Sequence, residues 1–319
     1  MAEKKIKLSI IILSWNTKEL LKKCLDSVIS DLQLAVREKG RGFDTPPITN
    51  HQPPITEIIV VDNGSTDGSV EEIKNEKLKI KNKDLRLIVI ENKENVGFAR
   101  GNNQGIKEAK GEYIMLLNSD TVVKKGSITK LIEYLDTHQE IAVVGPRLLN
   151  EDGSAQASCG RSPNMKVVAL MLFKEHFGGS RFVRWSPEES TGVDWLMGAA
   201  FMARKEVFQK IGGLDEKLFM YMEEVEWFYR AKQAGFKAYF LKEAEIVHLG
   251  RGSSVSGKKE PILNIYKGIL YFYRKHKSPI ELFILRTMLK LKALLALILG
   301  WLKNDKYLKE TYGQAIKIS

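Results

Sequence analysis

Three groups of residues in this chain are of a type and spacing that could do chemistry. The apolar run in IIVVDNGSTDGS ends at Asp62. A carboxylate in that position can accept from a pyrimidine N–H and orient a base, or cap the next helix, with Ser65 and Asp67 as alternative caps. A second run, YIMLL, ends in Asn118-Ser119-Asp120. A carboxylate beside an amide can hold a hard divalent cation, Mg²⁺ or Mn²⁺, with phosphate oxygens completing its coordination. The cation would act as a Lewis acid on a leaving diphosphate. One carboxylate makes a thin metal site, so a remote ligand is expected. His248 follows a strand and precedes a Gly/Ser-rich loop, Leu249-Gly250-Arg251-Gly252-Ser253-Ser254, and is the candidate; a satisfied structural histidine is the competing reading. The third group is Glu223-Glu224-x-Glu226 before Trp227-x-x-Arg230. Adjacent carboxylates raise one another's proton affinity, as a general base requires. Glu226 and Arg230 stand four apart and are expected to form a bracing ion pair, which leaves Glu223 and Glu224 as base candidates; charge near a helix N-terminus accounts for part of the cluster.

These groups can cooperate only if the chain carries them to one place. Short Ile/Val/Leu-rich runs at Lys7–Leu13, Glu57–Val61, Leu85–Ile90, Glu112–Leu117 and Ile141–Val144 read as strands buried on both faces. Helical patterns at Lys18–Asp31, Ser69–Lys77, Ala99–Ala109 and Ser127–Thr137 lie between them. This alternation predicts an α/β fold with a mostly parallel central sheet flanked by helices, in which ligands bind beyond the carboxyl ends of the strands. Polar segments follow four strands in turn: Ser14-Trp15-Asn16-Thr17, Asp62-Asn63-Gly64-Ser65, Asn95-Val96-Gly97-Phe98-Ala99-Arg100 and Asn118-Ser119-Asp120. Any one could be a turn or a cap. All four on one sheet edge describe a cleft.

Residues 34–56 carry four prolines and read as a surface insertion. A second half begins near Pro146, with a strand at Val193–Met197, Gly198-Ala199-Ala200-Phe201-Met202, helices around Lys205–Ile211 and Glu223–Gln233, and a strand at Lys237–Leu241. The expected organisation is one domain over 1–260, split into a nucleotide-binding half (1–145) and an acceptor and catalytic half (146–260), with a helical extension over 261–319.

The net charge of +11 is concentrated in that extension, where eleven Lys/Arg face three Asp/Glu. A near-neutral body with a basic tail disfavours a nucleic-acid groove and points to an anionic surface met by the tail. Its apolar helices, Ile280–Leu291 and Ala293–Leu302, are interrupted by Arg286, Lys290 and Lys292 and closed by Trp301 and Lys303. That pattern suits an interfacial helix on an anionic inner leaflet, or a helical subdomain packed on the core or forming a dimer. Nothing reaches the roughly 18 uninterrupted apolar residues of a membrane span, and Leu8–Leu13 reads as a first strand rather than a signal peptide. Cys24 and Cys159 stand apart, without a disulfide framework, and Cys24 falls in an apolar helical row. A reducing, cytoplasmic location is expected, peripheral on the inner face of the membrane if the tail docks there.

The stretches SIIILSWN, IIVVDNGSTDGS, ENVGFARGNNQGI, GEYIMLLNSDT, DWLMGAAFMARKEVFQKIGGLDEKLFMYMEEVEWFYRAKQAGF and VHLGRGSS, over about residues 7–255, resemble the family 2 glycosyltransferases of GT-A fold, in particular the branch of rhamnosyltransferases. The resemblance implies an inverting transfer of a sugar, with dTDP-rhamnose as the donor suggested by the branch, to a saccharide or lipid-linked acceptor in envelope polysaccharide or glycolipid assembly. It implies that Asn118-Ser119-Asp120 stands at the family's D-x-D position, Asp120 serving the metal or diphosphate and His248 completing the metal site. Asp62 matches the nucleoside-binding aspartate, with Ser14, Asn16 and Asn63 beside it and Asn95, Gly97 and Arg100 lining the nucleotide cleft. Trp195, Gly198 and Ala199 fall on the acceptor side. The family's base is the second acidic residue of E-D-x-D, here Glu224. The chain departs from the pattern twice: Asn118 replaces the first Asp, and Glu224 is one methylene longer than Asp, about 1.5 Å of reach, so either the backbone compensates or Glu223 serves instead. The competing classes are a sugar-phosphate nucleotidyltransferase, which would carry a Gly-rich basic loop where this chain has Ser-Trp-Asn-Thr, and a non-catalytic nucleotide or polysaccharide binder.

Overall fold

A computed structural model of the chain describes residues 5–37, 55–79, 84–177, 184–250 and 259–319. Most of the insertion expected at 34–56, and Arg251, Gly252, Ser253 and Ser254, lie outside the described residues.

The first half alternates strand and helix. β1 (Leu8–Ser14), α1 (Lys18–Arg37), β2 (Thr56–Asp62), α2 (Ser69–Lys79), β3 (Leu85–Glu91), α3 (Phe98–Glu108) and β4 (Tyr113–Asn118) follow in order. β1 sits between β2 and β4, parallel to both, and β2 pairs parallel with β3. Side chains on β1 alternate between two cores, as the period of a strand dictates. Leu8, Ile10 and Ile12 join Leu21, Cys24, Leu25 and Val28 of α1 on one face; Ile11 joins Ile59, Val61 and Ala99 on the other. Burial on both faces is why these strands read as unbroken apolar runs.

Beyond β4 the sheet turns mixed. It continues through β11 (Ala200–Arg204), β6 (Val143–Leu149), β12 (Ala238–His248) and the short β5 (Thr121–Val123), with β9 (Thr191–Val193) also pairing β12. β11 runs antiparallel to both β4 and β6, so its first residues lie at the carboxyl end of β4. β12 is much longer than the strand expected at Lys237–Leu241. A register shift between Leu241 and Glu245 hides its continuation, which pairs with β5 and ends at His248. The strand expected at Val193–Met197 is instead two pieces, β9 and β10 (Trp195–Leu196), the latter in a small second sheet with β7 (Cys159–Gly160) and β8 (Arg184–Trp185). α4 (Ser127–Thr137), α6 (Lys205–Ile211) and α7 (Glu223–Gln233) occupy the expected ranges.

α5 (Met165–Phe177) and the C-terminal helices α8 (Lys259–His276), α9 (Pro279–Leu302) and α10 (Lys306–Ile318) build a third core. α9 is one continuous helix rather than two. Ser278 and Glu281 form a capping box at its start, satisfying backbone donors that a helix leaves open. Lys292, read from sequence as interrupting the apolar run, lies on the buried side. Glu226 fastens α8 to α7: fully buried, it accepts from Arg230, Lys275 and His276 at 2.9, 2.8 and 2.9 Å.

Candidate active site

Sheet register gathers the strand ends. Ser14 pairs with Asp62 and Leu13 with Asn118, so the loops after β1, β2 and β4 leave the sheet at one level. Ala199 accepts from the Asn118 N–H at 2.9 Å, bringing the start of β11 to the same edge. His248 pairs with Thr121, which sets it beside Asp120.

Side chains then lock these loops together. The Asn63 amide donates to Asn95 Oδ1 at 2.8 Å, while its oxygen accepts from Asn92 Nδ2 and the Val96 N–H at 3.1 Å each. Asn16, at a positive φ of 52°, accepts from the Thr66 N–H, and its own N–H donates to Ser65. Buried Ser14 meets Thr17 at 2.9 Å, and Thr17 meets Ser119 at 3.0 Å. Asp62 Oδ2 accepts from the N–H groups of Gly64 and Ser65, closing a turn. Its Oδ1 is buried with no hydrogen-bond partner among the described residues, a state native folds rarely leave without a function.

The loops surround a cavity of about 460 Å³. Asn63, Asn95, Asn118, Ser119, Asp120, Gly198, Ala199, Glu223, Glu224 and His248 all line it. Ser14, Asn16, Asp62 and Gly97 adjoin these lining residues in the chain, Ser14, Asp62 and Gly97 buried and Asn16 exposed. Gly97, at φ 91°, caps α3 where a Cβ would come within 2.7 Å of the Phe219 ring. Two expected site residues are elsewhere. Arg100 is on the exposed side of α3, because the cavity meets that helix only at Phe98. Trp195 is buried in β10 with its indole N–H donated to the Arg161 carbonyl at 2.9 Å, so it packs the small sheet.

Asp120 and His248 face each other across 3.5 Å, both almost fully buried. The tautomer of His248 follows from its neighbours. Gln156 Nε2 donates to Asn150 Oδ1 and to the His248 carbonyl, which fixes the amide so that its oxygen points at Nδ1, 2.7 Å away. Nδ1 must therefore donate, which leaves Nε2 as the ring nitrogen facing the Asp120 carboxylate. A ring nitrogen and a carboxylate so placed suit a cation between them, and a histidine oriented through its other nitrogen is the usual arrangement of a metal ligand. No cluster of three or more metal-ligating side chains occurs among the described residues. The residues present thus fit a divalent cation held by two protein ligands, with phosphate oxygens and water as the remainder.

Glu223 and Glu224 open α7. The two residues before them, Tyr221 and Met222, both take positive φ, 70° and 74°, a strained turn costing about 1–3 kcal/mol per residue. It aims the first turn of the helix into the cavity. Burial pushes the carboxyls of both residues up, and the Glu224 charge raises Glu223 further. The buried Arg184 guanidinium favours the Glu224 anion. Both effects favour the proton on Glu223 over Glu224. Oε2 of each is buried without a hydrogen-bond partner among the described residues. Glu226, by contrast, is held below the usual carboxylate range: burial opposes its charge, but Lys275, Arg230 and His276 overcome that.

Several residues of the site were not singled out from sequence. Phe98, Phe219, Met220 and Tyr221 form an apolar wall, and Glu260, Pro261 and Asn264 of α8 close one side. Two left-handed non-glycine residues in FMYM give no periodic signal, and α8 belongs to the expected extension.

Comparison with known proteins agrees with this architecture. N-acetylglucosaminyl-diphospho-decaprenol L-rhamnosyltransferase of Mycobacterium tuberculosis is 26% identical over 209 residues, 60% of this chain and 66% of that protein, a little under two thirds of its length. The low-salt glycan biosynthesis hexosyltransferase Agl10 of Haloferax volcanii is 24% identical over 71% of this chain and 69% of its own. Among solved structures, the mannosyltransferase PcManGT of Pyrobaculum calidifontis, in complex with GDP-Man and Mn²⁺, superposes with a TM-score of 0.54 at 15% identity, covering 98% of this chain and 73% of that one. S. aureus TarS 1-349 in complex with UDP-GlcNAc gives 0.54 at 15% identity, covering 97% and 79%. These structures share the GT-A fold. A family model described as glycosyl transferase family 2 matches residues 9–227, from the first strand through the opening of the acidic helix, and the chain belongs to that family.

Proposed function

We propose that the cavity catalyses an inverting transfer of a sugar from a nucleotide diphosphate to an acceptor hydroxyl. One observation carries this reading: two carboxylates each with a buried, unpartnered oxygen, Glu223 and Glu224, face the same cavity as the Asp120–His248 pair. Asp62 Oδ1 would accept from a nucleobase N–H. Asp120 and His248 would hold a divalent cation, which when bound supplies Lewis-acid neutralisation of the departing diphosphate. Glu224 takes the proton of the acceptor hydroxyl. The acceptor oxygen then bonds to the anomeric carbon from the face opposite the diphosphate, whose bond to that carbon breaks as the nucleoside diphosphate leaves with the electron pair. Gly198 borders Glu224 and Phe98, where an added Cβ would make only ordinary contacts at 3.6 Å.

The name of the mycobacterial relative supports L-rhamnose as the transferred sugar and a lipid-linked saccharide as the acceptor; on this reading the donor is dTDP-rhamnose and the product enters envelope polysaccharide or glycolipid assembly. Transfer assays over a panel of dTDP-, UDP- and GDP-sugars test the donor. For the mechanism, Glu224→Gln should lower kcat by about 10²–10⁴, the range of general-base catalysis, with nucleotide affinity kept. Glu224→Gln turning over at the wild-type rate would remove it as the base.

A further inference from the structure

α9 is apolar around most of its circumference but covered on one side only. Leu285, Leu289, Ala293 and Gly300 face inward. At 100° per residue the opposite side carries Ile280, Ile284, Leu291, Leu294, Ile298 and Trp301, between 42% and 72% exposed. Thirteen large hydrophobic residues are exposed among the described residues, and ten of them lie on this helix. Isolated exposed hydrophobics are ordinary; a stripe along 24 residues, about 36 Å at 1.5 Å per residue and interrupted at Thr287, marks an interaction surface.

Basic groups border the stripe. Arg286 and Lys290 are exposed along one flank, and Lys303 and Lys306 at its end. Lys309 Nζ sits 5.0 Å over the Trp301 ring. After Glu281 the helix has no acidic residue. No described helix is long and apolar enough to cross a membrane, so the stripe is suited to lying in the surface plane.

We propose that α9 seats this protein on an anionic lipid surface, its apolar stripe at the acyl boundary and its flanking bases among the headgroups. Charge selects this occupant over a second copy of the chain. An isologous dimer would set like-charged flanks against each other, whereas anionic headgroups neutralise them. The docking is independent of the transfer chemistry. On the proposed function it also holds the cavity, reached by Glu260 and Asn264 of the adjoining α8, next to a lipid-linked acceptor.

The test is flotation of the full chain with vesicles of phosphatidylcholine containing one third phosphatidylglycerol, against pure phosphatidylcholine. Wild type should bind the anionic vesicles and lose that binding in high salt. The variant Leu291→Glu/Leu294→Glu/Ile298→Glu should bind at least about tenfold more weakly, each charge in the acyl boundary opposing insertion. Arg286→Gln/Lys290→Gln, which leaves the stripe intact, should lose roughly 10- to 30-fold on anionic vesicles, at about 1 kcal/mol per base, and little on neutral ones. Equal flotation of wild type and both variants would overturn the proposal. So would a wild type that ignores both vesicles, or one that sediments as a dimer which the triple glutamate variant splits.

Discussion

Replacing Glu226 by Gln removes the negative charge that Arg230, Lys275 and His276 share while keeping the side chain's size. The carboxylate is fully buried and accepts at 2.8–3.0 Å from all three. Breaking a buried ion pair by removing one partner costs about 3–5 kcal/mol. Lys275 is about one third exposed, keeps Asp215 at 2.6 Å, and Arg230 keeps the carbonyls of Ile211 and Gly213, so solvent and these partners lower the loss to roughly 2–3 kcal/mol. For a chain of this size that is a fall in Tm of about 3–5 °C. The pH dependence follows from the sign of the shift. The Glu226 carboxyl lies below its usual value in the folded protein, so its stabilisation is present above the unfolded pKa of about 4.3 and fades as pH falls through the folded one. Thermal melts of wild type and Glu226→Gln should therefore differ fully at neutral pH and converge in acid. A Tm within a degree of wild type at neutral pH, or a deficit that persists unchanged in strong acid, would refute the reasoning.

Other perturbations test the cavity. Gln156→Leu frees His248 Nδ1 and should raise the metal concentration for half-maximal activity about 10- to 100-fold; an unchanged metal titration would argue that His248 is not a ligand. Gly97→Ala drives a Cβ into Phe219 at positive φ and should cost roughly 1–3 kcal/mol, with a raised KM for the donor nucleotide; melts and KM together report it, and a variant matching wild type in both contradicts the tight approach. Burial raises the Glu224 carboxyl, so kcat/KM should fall as pH drops through a limb above about 4.3, and a limb at or below that value would exclude Glu224. Glu223 is raised as well, so the folded state binds more protons and loses stability as pH climbs through its folded pKa. Glu223→Gln should therefore melt higher than wild type at neutral pH, with the gain shrinking toward pH 4; a gain that grows in acid would reverse the assignment.

The parts of the fold legible in the sequence are those whose burial leaves a period. β1, β2 and β4 are covered on both faces and read as apolar runs, and the polar residues after each were visible because the sheet there is parallel. α4, α6 and α7 show the amphipathic spacing of half-covered helices. β11 escaped because Ala-Phe-Met-Ala-Arg alternates nothing a short strand would show, and α5 because it is apolar on nearly every face. β12 was read short because its bulge puts Lys242-Glu243 in the middle of a strand. Within the site, residue types at strand ends were readable, but not which of them face inward. Asn63 both lines the cavity and ties its loops together, Trp195 packs the small sheet, and Arg100 turns outward, distinctions set by rotation of α3 and by pairing of strands distant in sequence. The wall from Phe219 to Tyr221 depends on a left-handed turn that no local preference announces.

The amide of Asn63 has a kinetic corollary. Because it joins the loop after β2 to Asn92, Asn95 and Val96, and Asn16 joins the first loop to Thr66, these loops are held to one another. Their ordering entropy is spent during folding, so a ligand need not freeze them on arrival. Association with the cavity should then be limited by encounter and orientation rather than by a gating step, and the observed rate constant should rise linearly with ligand concentration instead of saturating.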